Sequence, residues 1–422
     1  NGIKAVLRAD GWKIHKGVPT ERIVEIELTA PAAHGSSESP PLNLGLVIDR
    51  SGSMSGGKLE QAKLAVEQII DLLRAQDSLS IVTFDDQVRV LAETDSTGPL
   101  THTELKQMVR GVYPGGSTNL GGGWLQGCQN VARRQSRDKV NRTLLLSDGQ
   151  ANVGIVDANE LGQHASEIFE RGVSTSTFGI GLGFNEHLME RIANQGGGNF
   201  YYIGHDQQIP ELLMQEFSDL SSVTLKDTLI GITIPAGTKA ELFGEWRVKQ
   251  KGDLLTISLS DLPANRTVNL FLRLLISPAE ENYDMTVTIA GIGESGETLR
   301  SLNVLHLTRA SDEEVNRQPI DLDLLTRFSS VAIGQISNEA LKLERAGRRD
   351  EARQLMDRAM NKYSQHMPQA TRDRYDGLRL HISEGLEEGM RKTMNYDSYM
   401  LKRHRHVEQS RDPDQDKNKD NS

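Results

Sequence analysis

Residues 42–59 read LNLGLVIDRSGSMSGGKL, and this stretch decides the fold. Leu42–Ile48 is a nearly continuous apolar run, the pattern of a central strand covered on both faces. A polar Gly/Ser loop follows. Lys58–Ala75 then places Leu59, Ala62, Val66, Ile69, Ile70 and Leu73 on one helical face. Downstream, Leu79–Phe84, Val88–Leu91, Thr143–Leu146, Val173–Ile180 and Phe200–Ile203 are strand-like. Helical patterns interleave with them at Thr103–Val109, up to about Arg134, Ala158–Arg171, Glu186–Ala193 and Ile209–Leu220. Strands alternating with helices predict an α/β domain over 42–220, doubly wound on a mostly parallel sheet.

Beyond this domain the periodicity changes. Thr224–Ile234, Leu254–Leu259, Thr267–Ile276, Met285–Ile289 and Leu299–Leu307 predict a β-sandwich module over 221–310. Upstream, Ile23, Val24, Ile26 and Leu28 interleave with Glu25 and Glu27, a half-buried strand, with another near Ile3–Leu7. Residues 1–37 have no sheet of their own and are expected to pair with the later module, so that the α/β domain is inserted in the sandwich. APAAHGSSESPP (30–41) reads as a linker. Residues 311–395 read as a helical region, with a hairpin in Ser337–Met360 turning at 346–350. It resembles one tetratricopeptide unit without further copies, hence a single docking hairpin. Residues 396–422 are expected to be a disordered tail.

Composition narrows the function. The 422 residues carry 58 Asp plus Glu against 48 Lys plus Arg, a net charge of −10. That disfavours a general nucleic-acid binder, which needs cations against phosphates. No apolar run approaches the roughly 20 residues of a membrane helix. The single cysteine, Cys128, forms no internal disulfide and reads as a buried structural thiol. Nothing demands oxidation or export, which favours the cytoplasm. The first residue is Asn, so a preceding leader and an extracytoplasmic location stay open.

Two templates compete for the loop after Ile48. Gly52–Lys58 satisfies G-x-x-x-x-G-K, the phosphate-binding loop, and opens the alternative of an ATPase or an ATPase-associated subunit. That template needs a hydroxyl next, to ligate Mg2+, and Leu59 stands there instead. The other template is D-x-S-x-S. Asp49, Ser51 and Ser53 alternate just past the carboxyl end of a central strand, where open α/β sheets bind ligands. Their hard oxygens suit Mg2+ and disfavour soft metals. Further ligands must come from neighbouring loops, where Thr118 (in GGSTN) and Asp148 (in SDG) are the candidates. Gly291–Gly296 matches G-x-G-x-x-G but lies between strands and reads as a hairpin turn.

Together these residues resemble the von Willebrand factor type A domain with its metal-ion-dependent adhesion site. Asp49, Ser51 and Ser53 match its D-x-S-x-S, Thr118 its separate threonine and Asp148 its final aspartate. More narrowly, IDRSGSMSGGKL, GGSTNL and SDGQANVG look like bacterial relatives of inter-alpha-trypsin inhibitor heavy chains. The resemblance implies a non-enzymatic, Mg2+-dependent protein-interaction module. Mn2+ or Ca2+ are possible substitutes. In the family, Ser51, Ser53 and Thr118 would contact the ion directly, and Asp49 and Asp148 directly or through water. A partner's Asp or Glu would complete the coordination. The partner surface is expected around Met54, Asn119 and Gln150. A second alternative is a metal-stabilised scaffold that recognises partners through its helical region.

Overall fold

The structure is a computed structural model that describes residues 2–33, 39–95 and 99–403. The chain opens with strands β1 (Lys4–Ala9), β2 (Lys13–His15) and β3 (Thr20–Thr29). The α/β domain follows: β4 (Leu42–Asp49), α1 (Gly57–Leu72), β5 (Ser78–Phe84), β6 (Val88–Thr94), α2 (Pro99–Arg110), α3 (Leu120–Arg133), β7 (Val140–Ser147), α4 (Ala158–Glu170), β8 (Ser174–Ile180), α5 (Glu186–Gln195), β9 (Gly197–Ile203) and α6 (Gln208–Ser221). Next come β10 (Val223–Thr233), β11 (Thr238–Phe243), β12 (Arg247–Lys251), β13 (Leu254–Ser258), β14 (Leu262–Pro263), β15 (Thr267–Ile276), β16 (Tyr283–Gly293) and β17 (Thr298–Ala310). Helices α7 (Asp312–Arg317), α8 (Leu322–Arg345), α9 (Arg349–Tyr363), α10 (Gln369–His381) and α11 (Glu388–Lys402) complete the described chain.

In the α/β domain the sheet order is β6-β5-β4-β7-β8-β9, parallel except for the β5–β6 pair. Every residue of β4 is buried. Leu44, Leu46 and Ile48 join one core layer with Val66 and Ile70 of α1 and Leu213 of α6. Val47 joins the opposite layer with Trp124 of α3 and Leu188 of α5. This two-sided burial is why the strand reads as an unbroken apolar run. Helix α3 reaches the sheet through glycines: a Cβ on Gly127 would sit 2.2 Å from Val47 Cγ2, and one on Gly123 2.5 Å from the Phe84 ring.

The domain is inserted in a β-sandwich. One sheet has the order β1-β3-β15-β11, and β3 pairs antiparallel with β15 from Thr20↔Ile276 to Thr29↔Thr267. The other runs β12-β13-β10-β16-β17-β2, with β14 beside β10. Val24, Ile26 and Leu28 face Ile230, Ile257 and Val287 in the core between the sheets. The entry and exit of the inserted domain are tied together, since Ala30 N–H donates to Arg266 O at 2.9 Å and Thr224 Oγ1 to Pro31 O at 2.8 Å. Helix α8 covers the outer side of the β1-β3-β15-β11 sheet, packing Leu324 and Phe328 against Ile23, Phe243 and Phe271. The α8–α9 hairpin turns at Ala346–Arg348, where Gly347 takes φ +78°.

One boundary needs correction. Residues 396–402, expected in a disordered tail, form the second half of α11. Tyr396 and Tyr399 pack edge-on against Phe200, and Tyr399 Oη accepts the Phe200 N–H at 2.9 Å. Burial of the Tyr399 ring and partial burial of Tyr396 outweigh the polar composition around them. The rest of that expected tail, 404–422, lies outside the described residues.

Candidate metal centre

Three loops leave the carboxyl ends of β4, β5 and β7 side by side and a fourth approaches after α2. Asp49 ends β4 fully buried. Its Oδ1 accepts the Ser51 N–H at 2.8 Å, a local turn that folds the loop back over the carboxylate. Gly52–Met54 then forms a single 3-10 turn before α1.

The loops are stapled by backbone bonds. Arg50 N–H donates to Phe84 O at 2.8 Å, Gly115 N–H to Arg50 O at 2.6 Å, and Gly52 N–H to Gly116 O at 3.0 Å. Asp85 braces the same junction, since its Oδ2 accepts Arg50 Nη2 at 2.6 Å and the Gly116 N–H at 3.3 Å. Thr118 N–H donates to Asn152 Oδ1 at 3.0 Å, and Asn152 N–H returns to Thr118 O at 3.2 Å.

The structure brings the five candidate ligands together. Ser51 Oγ lies 3.2 Å from Ser53 Oγ, and Ser53 Oγ donates to Asp148 Oδ1 at 2.6 Å. Ser147 Oγ donates to Asp49 Oδ2 at 2.5 Å. A Cβ on Gly149 would lie 2.9 Å from Thr118 Oγ1 and 3.5 Å from Asp49 Oδ2, so both oxygens converge on one small cradle that a side chain would fill. Asp49, Ser51, Thr118 and Asp148 are buried, and Ser53 is exposed at the mouth. Burial pushes the Asp49 carboxyl up to about 6, the neighbouring Asp148 adding to the rise and hydrogen bonds from Ser147 and Ser51 opposing it. Two buried carboxylates with converging hydroxyls form a hard-oxygen donor set that fits a small divalent cation. Among the described residues no group of three or more His, Cys, Asp or Glu side chains is placed to hold a metal, so a metal here would depend on the hydroxyls.

The expected partner surface divides. Gln150 is exposed beside the centre. Asn119 is half-buried, and its Oδ1 caps α3 by accepting the Gly122 N–H at 3.0 Å. Met54 is a correction: it is fully buried in the core under α1, because the 3-10 turn directs its side chain inward. The supporting residues Arg50, Asp85, Ser147, Asn152 and Lys58 were not singled out from sequence as part of the oxygen set, although all but Asp85 stand within or beside the quoted motifs. Lys58 forms an ion pair with Asp148 Oδ2. Leu59, where a phosphate loop needs a hydroxyl, is buried in the core.

A doubly wound sheet carrying D-x-S-x-S, a threonine and an aspartate on adjacent loops defines a class of domain. Residues 43–215 match the family described as the von Willebrand factor type A domain, and the chain carries such a domain. These domains typically mediate protein–protein interaction. Among curated proteins, the chain is 33% identical over 194 residues to the uncharacterized protein YfbK of Escherichia coli, covering 46% of this chain and 33% of that protein. It is 28% identical over 272 residues to the uncharacterized protein sll0103 of Synechocystis, covering 62% and 63%. To mouse inter-alpha-trypsin inhibitor heavy chain H2 it is 27% identical over 193 residues, covering 44% and 20%. The chain thus spans from 20% to 63% of the length of these relatives. Among solved structures it resembles a von Willebrand factor type A protein from Catenulispora acidiphila, with TM-score 0.75 at 16% identity over 94% of this chain and 96% of that one. The ArnB paralog VWA2 from Sulfolobus acidocaldarius gives 0.64 at 18% identity over 96% and 99%. These likenesses extend the shared fold to the sandwich and helices.

Proposed function

We propose that the chain is a Mg2+-dependent protein-interaction module. Asp49, Ser51, Ser53, Thr118 and Asp148 hold the ion, and a partner supplies an Asp or Glu carboxylate to it. The observation that carries this reading is the linked oxygen cluster, in which Ser53 Oγ joins Asp148 at 2.6 Å and Ser51 at 3.2 Å. When bound, the ion supplies a positive centre with an exchangeable water position. The protein's own residues do the rest. Ser147 and Ser51 orient the Asp49 carboxylate, Asn152 fixes the Thr118 backbone, and Arg50 with Asp85 locks the loops. Neutral hydroxyls leave the two carboxylates to balance a divalent charge, which keeps the centre attractive to an anion. The surface beside it is suited to a protein, since Tyr113 and Leu182 on adjoining loops are 70% and 54% exposed. The role is binding, with no catalytic residue assigned.

Calorimetric titration with Mg2+ and Mn2+ tests the reading. Binding is expected in the wild type and is lost in Asp49→Ala. Absence of binding, or an Asp49→Ala variant that binds like wild type, refutes it. A pull-down from the source cells with and without EDTA separates the scaffold alternative, for which partner capture survives the chelator.

A further inference from the structure

Lys58 stands at the second position of α1, at the positive end of the helix dipole, where a cation is disfavoured. Its side chain nonetheless turns inward across the loops. The ammonium pairs with Asp148 Oδ2, while Ser53 Oγ holds the other oxygen of the same carboxylate at 2.6 Å. It also donates to the Ser53 carbonyl at 3.3 Å. From the far side it meets the loop after β8, where a Cβ on Gly181 would lie 3.7 Å from Nζ. The Lys58 side chain is 27% exposed and that of Asp148 is fully buried, so the charge is delivered from the rim onto an interior acid. Arg50, the other cation of this loop, is paired instead with Asp85 at 2.6 Å.

We propose that Lys58 is a tethered cation that sets the balance between metal affinity and attraction for an acidic partner. This rests on the metal reading above. Two carboxylates and one ammonium leave the apoprotein centre at −1, and a divalent ion brings it to +1. Without the lysine the same sums are −2 and 0. Lys58 therefore weakens the hold on the ion through repulsion and competition for Asp148 Oδ2. It also leaves surplus positive charge for the incoming carboxylate. The residue thus acts as a specificity determinant: it exchanges tightness of metal binding for selection of anionic ligands.

Mg2+ titration of wild type, Lys58→Met and Lys58→Gln by calorimetry tests this, with circular dichroism melts of each metal-free protein. Both variants are expected to bind Mg2+ more tightly by about tenfold or more, since a unit charge a few ångströms from a divalent ion in a partly screened site is strongly repulsive. Their metal-free melting temperatures are expected to fall and to be raised by Mg2+ more than that of wild type. No Mg2+ binding by wild type, whatever the variants do, overturns the metal reading on which the proposal rests. Equal or weaker Mg2+ binding by both folded variants, with wild type binding, overturns the lysine's role alone. No binding by any of the three overturns the metal reading and this proposal with it.

Discussion

Lys392→Met removes a cation buried between α11 and the loop that flanks the centre. The Lys392 side chain is 1% exposed. Its Nζ donates to Phe184 O at 2.6 Å and to Glu186 Oε2 at 2.9 Å, and it lies 3.8 Å from the centroid of the Phe184 ring. Breaking a buried ion pair from one side costs about 3–5 kcal/mol, because the remaining charge is left uncompensated. Here Arg345 still faces Glu186 Oε1 at 2.5 Å, which lowers the penalty. Loss of the bond to the Phe184 carbonyl and of the cation–ring contact adds to it, while methionine retains the volume. The net expectation is about 3 kcal/mol off the free energy of docking α11. An undocked helix of this length is marginal in water, so undocking exposes its amides. Native-state hydrogen exchange of 388–402 should accelerate about 100-fold, with β3 and β15 little changed. Adding Glu186→Gln should restore about half of the protection by removing the stranded charge. Exchange of α11 within about threefold of wild type, or equal acceleration in the sandwich strands, would refute the reasoning.

Three further outcomes are expected. Gly127→Ala gains about 1 kcal/mol of helix propensity but drives a Cβ to 2.2 Å from Val47, an overlap costing about 1–3 kcal/mol, so β4 amide protection should fall. Combining it with Val47→Ala should cost less than the sum of the two, and strict additivity would show that the contact is not the cause. Gly149→Ala pushes on Thr118 Oγ1 and should weaken Mg2+ binding by about tenfold in a folded protein; unchanged affinity would separate Thr118 from the centre. Burial alone would raise the Glu186 carboxyl, but Lys392 and Arg345 outweigh it and hold the group below its ordinary value of 4.5. That stabilisation is complete above the unfolded value and is lost as pH falls through the folded one, so the excess α11 protection of wild type over Glu186→Gln should be flat from about pH 7 to 5 and decline below about 4.5. A decline beginning above pH 6 would point to another group.

The strand–helix alternation was legible because β4, β5, β7 and β8 are buried on both faces; β4 and β7 carry the apolar runs Leu46–Ile48 and Leu144–Leu146, and β5 and β8 show it through β-branched and small residues. The insertion was legible because the N-terminal strands, β3 with its period-two pattern among them, are too few to make a sheet of their own. Strands β11 and β12 were missed. They lie at sheet edges, and in TKAELF and RVKQK exposed charged residues mask the alternation. At the centre, loop oxygens could be found by position alone, since each follows the carboxyl end of a buried strand or a Gly-rich turn. Met54 could not be placed, because one residue in a 3-10 turn has no periodicity to show which way it points. Lys392 and Lys402 look like solvated charges in α11. Their acidic partners Glu186 and Glu190 are about 200 residues away, and only the tertiary fold pairs them.

The insertion has a consequence for synthesis. Thr29 and Thr267 bond across the β3–β15 pair although 238 residues separate them. At about 5–20 residues per second, β3 leaves the ribosome some 10–50 s before its partner exists. During that interval TERIVEIELT can pair with β1 along one edge, while its other edge, the one that β15 will cover, stays open to wrong pairing. If the inserted domain folds first, its adjoined entry and exit turn a very long loop into a short one. The closure entropy of the sandwich is then met before its last strands emerge. Maturation speed should therefore depend on the inserted domain, and substitutions that slow its folding should show as aggregation of the sandwich rather than as loss of the metal centre.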